Sequence, residues 1–244
     1  MEHKKDTCAF SKYWPIFGFM WAMSFDAMAL RQTADAWVGI NYQNYITEDK
    51  RWVFLIHNQL RFIYDRHPLR AILTEDSVGY GFNPKHRFWV GYYWSIHDPY
   101  HHDYQENRIW QQYYWKIVEN EKEKVASRTR LEEIKFNRLS PNLIIFRQLF
   151  ARETSIFNWG PVKPLVYEEI FLRLNHPSYS SYSFFNQNRV FLGVNIYCHD
   201  GSYWKVGYIN QYENDTPAYV KTMNHILTVN YTFGEGAISL PVDN

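Results

Sequence analysis

Charged and amide side chains recur at alternate positions in the second half of the sequence, where they could form ion pairs. Residues two apart on a β-strand project from the same face, so Arg128, Arg130 and Glu132 would point in one direction. Arginine can pair with a carboxylate through two parallel hydrogen bonds, which suits a buried charge. The predicted polar network consists of Arg128, Arg130, Glu132, Glu169, Arg189 and Gln211.

Such a network could serve two functions inside a closed β-barrel. It could be a structural ladder of ion pairs that keeps the interior nearly solid, because buried charges must be paired. It could instead be a charged constriction that selects a small polar solute. We prefer the structural ladder and keep the narrow channel as the second interpretation.

A lipid hydrolase with its site on the outer wall is an alternative function. It would need a serine nucleophile beside a histidine base. His225 falls on the apolar face of its segment, and the candidate serines are Ser127, Ser181 and Ser183. No spacing pairs these serines with the histidine, since such constellations are recognised by geometry. We therefore assign no catalytic residue.

A group of histidines and aspartates could bind a metal ion. His97, His101 and His102 stand close to Asp98 and Asp103 in a predicted loop. Exposed loop histidines are the simpler interpretation, so we expect no metal and no cofactor. The sequence also lacks a glycine-rich phosphate loop and a paired-cysteine zinc motif.

The elements that must position these side chains are β-strands. The chain has 244 residues, 19% of them aromatic, and beyond residue 30 apolar and polar residues alternate with a period of two. The segments are about 10 to 13 residues long, close to the roughly 9 to 11 that a tilted strand needs to cross a bilayer. The predicted strands are 36–47, 51–64, 69–81, 86–97, 106–118, 126–136, 142–153, 163–173, 187–198, 202–212 and 222–233.

The two faces of each predicted strand differ in polarity. We expect Val190, Leu192, Trp204 and Leu227 to face lipid, while the arginines face a polar lumen. A soluble periplasmic barrel or sandwich that binds an apolar ligand would turn these apolar residues inward, and it is the third function considered. Aromatic residues near the strand ends suggest girdles at the lipid–water boundaries. They include Trp37, Trp52, Tyr80, Tyr93, Trp110, Trp115 and Trp204.

Connection lengths and strand number are also predicted. Short turns at 83–85 and 199–201 contrast with long connections at 98–105 and 176–185, as in outer-membrane barrels. Bacterial single-chain barrels have an even number of strands, so we expect about twelve rather than eleven, with ten as second choice.

The first 29 residues have the features of a cleavable export signal. Three lysines flank the start of an apolar stretch at 13–25, and Ala27-Met28-Ala29 has the small-x-small pattern of a cleavage site. A single membrane anchor is the alternative, but the stretch is short for a spanning helix. We expect the mature chain to start near Leu30.

Residues 126–233 resemble an uncharacterised family of outer-membrane proteins known as DUF2490. The most specific pieces are Phe-Asn-Gln-Asn-Arg at 185–189 and Gly-Tyr-Ile-Asn-Gln at 207–211. Further matching pieces are Arg128–Glu132, Tyr167–Phe171 and Asn224–Leu227. The resemblance implies a barrel in the outer membrane and brings no established activity, substrate or cofactor.

Together these features predict an all-β chain with a single antiparallel up-and-down transmembrane β-barrel at 30–233, between a signal peptide at 1–29 and a tail at 234–244. The expected location is the outer membrane of a Gram-negative bacterium. The expected partners are outer-membrane lipids, the assembly machinery of that membrane and small polar solutes. The net charge of +1 provides no basic field for nucleic acid.

Overall fold

The fold consists of β-strands that match the predicted segments one for one. The computed structural model describes residues 31–64, 68–99, 104–137, 139, 141–155, 159–178, 183–214 and 221–236. Among these residues no helix is both long and apolar enough to span a membrane. The strands are β1 (Arg31–Tyr45), β2 (Trp52–Ile63), β3 (Leu69–Asn83), β4 (His86–His97), β5 (Tyr104–Glu119), β6 (Glu123–Phe136), β7 (Leu143–Thr154), β8 (Val162–Arg173), β9 (Phe185–Tyr197), β10 (Tyr203–Glu213) and β11 (Thr222–Phe233).

The strands form one closed barrel, and its closing pair differs from the prediction. Consecutive strands pair antiparallel throughout, but β1 pairs with β11 in parallel, from Arg31 opposite Thr222 to Tyr42 opposite Phe233. The predicted twelve strands are therefore wrong, because the barrel closes with eleven. Strict alternation gives the first and last of an odd number of strands the same direction, so the wall is not antiparallel at this seam.

The connections between strands alternate between two rims of the barrel. We call the end that carries the connections after β1, β3, β5, β7 and β9 the turn rim, and the opposite end, where β1 begins, the loop rim. The longest connections, 174–184 and 214–221, belong to the loop rim. Residues 1–30 and 237–244, including the predicted signal peptide and most of the predicted tail, lie outside the described residues.

Side-chain hydrogen bonds fix the turns of the turn rim. Asn83 Oδ1 accepts from the backbone N–H groups of Lys85 and His86 at 2.9 and 3.1 Å. Asp200 Oδ1 accepts from the backbone N–H of Ser202 at 3.0 Å and from its hydroxyl at 2.6 Å. Such hydrogen bonds between an asparagine or aspartate side chain and the backbone two residues later stabilise a turn locally.

The inside of the barrel is packed with apolar as well as charged side chains. Trp89, Phe191, Leu55 and Leu149 are buried in a cluster that fills the lumen toward the turn rim. The predicted polar lumen is thus apolar in this half. Gly91 belongs to the same packing, because a Cβ atom there would overlap the Trp110 indole, which lies against the glycine backbone.

Candidate functional site

An ionic network occupies the middle of the lumen. We define this lumen network as Glu75, Arg108, Arg128, Arg130, Glu132, Arg147 and Glu169. Its side chains come from strands β3, β5, β6, β7 and β8, and they project inward because each occupies an inward position of its alternating strand.

Glu132 is the centre of the lumen network. Its carboxylate accepts hydrogen bonds from Arg147 Nη1 at 2.5 Å and from Arg130 Nη1 at 3.4 Å. Arg108 Nη1 donates to the other oxygen at 2.8 Å. One carboxylate therefore joins guanidinium groups from three neighbouring strands.

Two further carboxylates extend the lumen network across the barrel. Glu169 Oε1 accepts from Arg128 Nη2 at 2.5 Å and from Arg147 Nε at 2.8 Å. Arg130 donates to both oxygens of Glu75 on β3, at 3.1 and 3.3 Å. Because β3 and β6 are not neighbours in the wall, the ion pair between Arg130 and Glu75 crosses the lumen.

The six sequence-predicted residues all lie inside the barrel, and the structure brings them close together. Arg128 and Glu169 form an ion pair, as do Arg130 and Glu132. Arg189 Nη1 lies 4.0 Å from Glu169 Oε2, and its Nε donates to Gln211 Oε1 at 2.6 Å. Register explains this grouping, because Arg189 stands opposite both Glu169 and Gln211 in the sheet.

Sequence reasoning missed Glu75, Arg108 and Arg147. Arg147 is inward between Ile145 and Leu149, on a strand with apolar residues on both faces and the polar Gln148 next to Arg147 on the outward face. Because the two faces of β7 differ little in polarity, the sequence did not indicate that the Arg147 side chain points into the barrel. For Glu75 the sequence did offer a signal, because Glu75 lies two positions after Leu73 and therefore shares its inward face.

A cavity of about 230 Å³ lies between the lumen network and the loop rim. We call it the vestibule. Arg61, Arg189 and Trp37 line it, together with Asp35 and Glu213. The Arg61 guanidinium lies 4.1 Å from the centre of the Trp37 ring, and that of Arg189 lies 5.3 Å from it. These are cation–π contacts on a single indole.

The outer wall is mostly apolar, with a hydrogen-bonded polar patch on β6 to β9 and further exposed polar residues such as Asn58 and Asp76. Thr129 Oγ1 donates to Gln148 Oε1 at 2.7 Å, and Gln148 Nε2 donates to Ser127 Oγ at 2.8 Å. Asn188 Nδ2 donates to Glu168 Oε1 at 3.0 Å. We call these five residues the outer polar strip. Their mutual hydrogen bonds satisfy part of their polar capacity.

Aromatic side chains are divided between the lumen and the outer surface. Trp37, Tyr93 and Trp110 are buried inside the barrel, so their assignment to a girdle is wrong. Trp52 and Trp204 are exposed near the turn rim, where Trp52 packs on Tyr80 and Trp204 packs on Tyr231. These pairs lie on the outer surface, and a girdle at a lipid–water boundary stays a prediction.

The hydrolase candidates have other partners. His225 Nδ1 is hydrogen-bonded to the Tyr208 hydroxyl at 2.6 Å. Ser127 accepts from Gln148, and the Ser183 hydroxyl donates to the carbonyl of Phe185 at 2.9 Å. Ser181 lies outside the described residues. The described side chains thus bring no serine into hydrogen-bond contact with His225.

The predicted metal cluster is only partly described. His97 ends β4 and bonds to Ser95 at 2.9 Å and to Glu106 at 3.2 Å, so it faces the vestibule rather than a loop. Positions 101–103 lie outside the described residues. Within the described part of the chain, no three histidine, cysteine or acidic side chains are grouped as a metal ion would require.

Comparison with known proteins places the chain in a family. The model of the family described as "Protein of unknown function (DUF2490)" matches residues 34–223, from β1 to the start of β11. No curated protein and no solved structure matches the chain. The match covers most of the barrel, including the lumen network and the vestibule. The chain therefore belongs to the DUF2490 family.

Proposed function

We propose that this protein is a barrel of the Gram-negative outer membrane that is sealed along its axis. The observation that carries the proposal is the inverted polarity of the wall. Glu169 and Arg130 are buried inside, whereas Leu227 and Ile109 are 66% and 63% exposed on the outside. In a membrane, lipid would cover this apolar outer face, whereas in a soluble protein the same apolar surface would be exposed to water at a cost in free energy.

Strand length and aromatic placement support the same location. The strands have 11 to 16 residues, enough for tilted strands to cross a hydrocarbon core. Trp52 and Trp204 near the turn rim suit a lipid–water boundary. Lipid would cover the outer polar strip and the exposed Asp76 less favourably than the apolar wall, and the internal hydrogen bonds of the strip reduce its share of that cost.

The packed lumen favours the structural ladder over a channel. The lumen network spans the barrel interior, and buried Trp89 and Phe191 fill the space between it and the turn rim. A small polar solute could enter the vestibule but would meet ion pairs and then apolar side chains. We therefore expect no conductance steps in planar bilayers, and steps typical of open pores would contradict the sealed barrel.

A charge on the outer wall tests the membrane location. Leu227 lies near the middle of β11. We expect Leu227→Arg to destabilise the barrel folded in phospholipid vesicles by about 2 to 4 kcal/mol, because the charge must leave water. Urea unfolding monitored by tryptophan fluorescence would measure the loss.

The matched control is Ile46→Arg, which places the same charge on an exposed residue of the turn rim. We expect this variant to lose less than about 1 kcal/mol, since charges near the interface stay hydrated. A neutral effect of Leu227→Arg, together with recovery of the natural protein in the soluble periplasmic extract, would refute the membrane location.

We also propose that residues 1–29 are removed on export. In support, the segment has a lysine-containing start, an apolar stretch at 13–25 and the small-x-small site Ala27-Met28-Ala29. N-terminal sequencing of the protein from membranes should start near Leu30, and retention of Met1 would contradict this proposal.

A further inference from the structure

We propose that the vestibule binds the anionic group of a small solute, a carboxylate or a phosphate, between Arg61 and Arg189. This inference goes beyond a sealed barrel and does not depend on the membrane location. It rests on the cavity, on two arginines whose close partners are neutral, and on a buried amide donor with no partner.

Arg61 faces the cavity with no carboxylate in contact, and Arg189 has one carboxylate only at the outer limit of an ion pair. Arg61 Nε donates to the amide oxygen of Gln59 at 2.8 Å, and Arg189 Nε donates to that of Gln211 at 2.6 Å. Among the described residues no carboxylate lies within 4.0 Å of Arg61, and the nearest to Arg189 is Glu169 at that distance. Their charges are therefore only weakly compensated by the wall.

The carboxylates of the vestibule are mostly engaged elsewhere. Asp35 pairs with Arg70 at 3.1 Å, and Glu106 pairs with Arg108 and with His97. Glu213 accepts a hydrogen bond from the Gln211 amide. Asp35 Oδ1 has no hydrogen-bond partner, which favours a ligand that carries a hydroxyl donor beside its anionic group.

Asn186 supplies the independent observation. It lines the vestibule, is only 7% exposed, and its Nδ2 has no hydrogen-bond partner. Its direction results from a β-bulge, because Phe171 pairs with Gln187 while Leu172 pairs with Phe185, which leaves Asn186 as the extra residue. A buried donor without an acceptor is costly, and a bound anion would satisfy it.

The volume and the aromatic floor limit the ligand to a compact molecule. About 230 Å³ is below the usual range for drug-sized ligands. Trp37, which both guanidinium groups contact, offers a flat apolar surface to a ligand. A short hydroxy acid or inorganic phosphate would fit this combination of charge, donor and size.

Calorimetric titration of the purified full chain with glycolate, acetate and inorganic phosphate tests the site. We expect saturable binding, with glycolate tighter than acetate if Asp35 takes part. Arg61→Gln and Arg189→Gln should each weaken binding about ten- to a hundredfold, the effect of losing one charge-assisted hydrogen bond. Phosphate tighter than both carboxylates would identify the ligand class as phosphate.

Two variants keep this test independent of folding. Arg70→Gln removes a guanidinium from the same vestibule that is already paired with Asp35, so we expect less than about a threefold change in the affinity for acetate, which has no hydroxyl group to reach Asp35. Arg61→Lys keeps the charge and should weaken binding less than Arg61→Gln. Far-UV circular dichroism must show natural strand content in each variant. No saturable binding of any probe, or equal affinity in the natural protein and both glutamine variants, would overturn the proposal.

Discussion

At the scale of the residue, Glu132 holds the lumen network together. We expect Glu132→Gln to lower the free energy of unfolding by about 3 to 5 kcal/mol, because buried Arg130 and Arg147 and half-buried Arg108 lose their shared negative charge. Urea unfolding of the barrel in detergent or vesicles would measure this loss.

The neighbouring Glu133 provides the control. It is exposed on the outer wall and accepts a hydrogen bond from Asn142 Nδ2 at 2.7 Å. We expect Glu133→Gln to change stability by less than about 1 kcal/mol. Equal losses in the two variants would mean that the ion pairs around Glu132 contribute little.

Asp200 in the turn after β9 is a residue whose titration can be checked. The Ser202 hydroxyl and then the Ser202 backbone N–H donate to its carboxylate and hold the pKa of Asp200 below the usual 3.8. A lowered folded-state pKa stabilises the fold above the unfolded pKa, and this contribution is lost as pH falls through the folded pKa. In Ser202→Ala, NMR titration should show the Asp200 pKa moving toward 3.8; an unchanged pKa would contradict this.

At the scale of the element, Gly91 controls how β4 packs against the lumen. A Cβ atom at Gly91 would overlap the Trp110 ring, on which Arg130 lies at 3.9 Å. We expect Gly91→Ala to cost about 1 to 3 kcal/mol through overpacking. Gly81→Ala is the control, because the nearest atoms to its added Cβ are 3.5 Å away. Thermal unfolding of both variants would distinguish them, and a smaller loss at Gly91 than at Gly81 would contradict the packing argument.

The strands were predictable from the sequence because alternation and length act locally. In β11, for example, Leu227 and Val229 separate cleanly from Thr228 and Asn230. The direction of Asn186 was not predictable, because a bulge shifts the alternation by one residue and leaves no pattern in one strand alone. Arg147 was missed for a related reason, since apolar and polar residues occur on both faces of β7.

At the scale of the whole molecule, closure could not be derived from the segments. The sequence contains eleven alternating segments, and the structure has eleven strands. The general rule of even strand numbers led the prediction to twelve. Pairing between β1 and β11 joins the two ends of the chain, and no local signal encodes whether that pair is parallel.

The parallel seam has a consequence for experiments in cells. Arg31 starts β1 at the loop rim, and Phe233 ends β11 at the turn rim. If the barrel spans a bilayer, a reporter placed before Arg31 and another placed after Phe233 would lie in different compartments. A protease added to intact cells should then remove one epitope tag and spare the other.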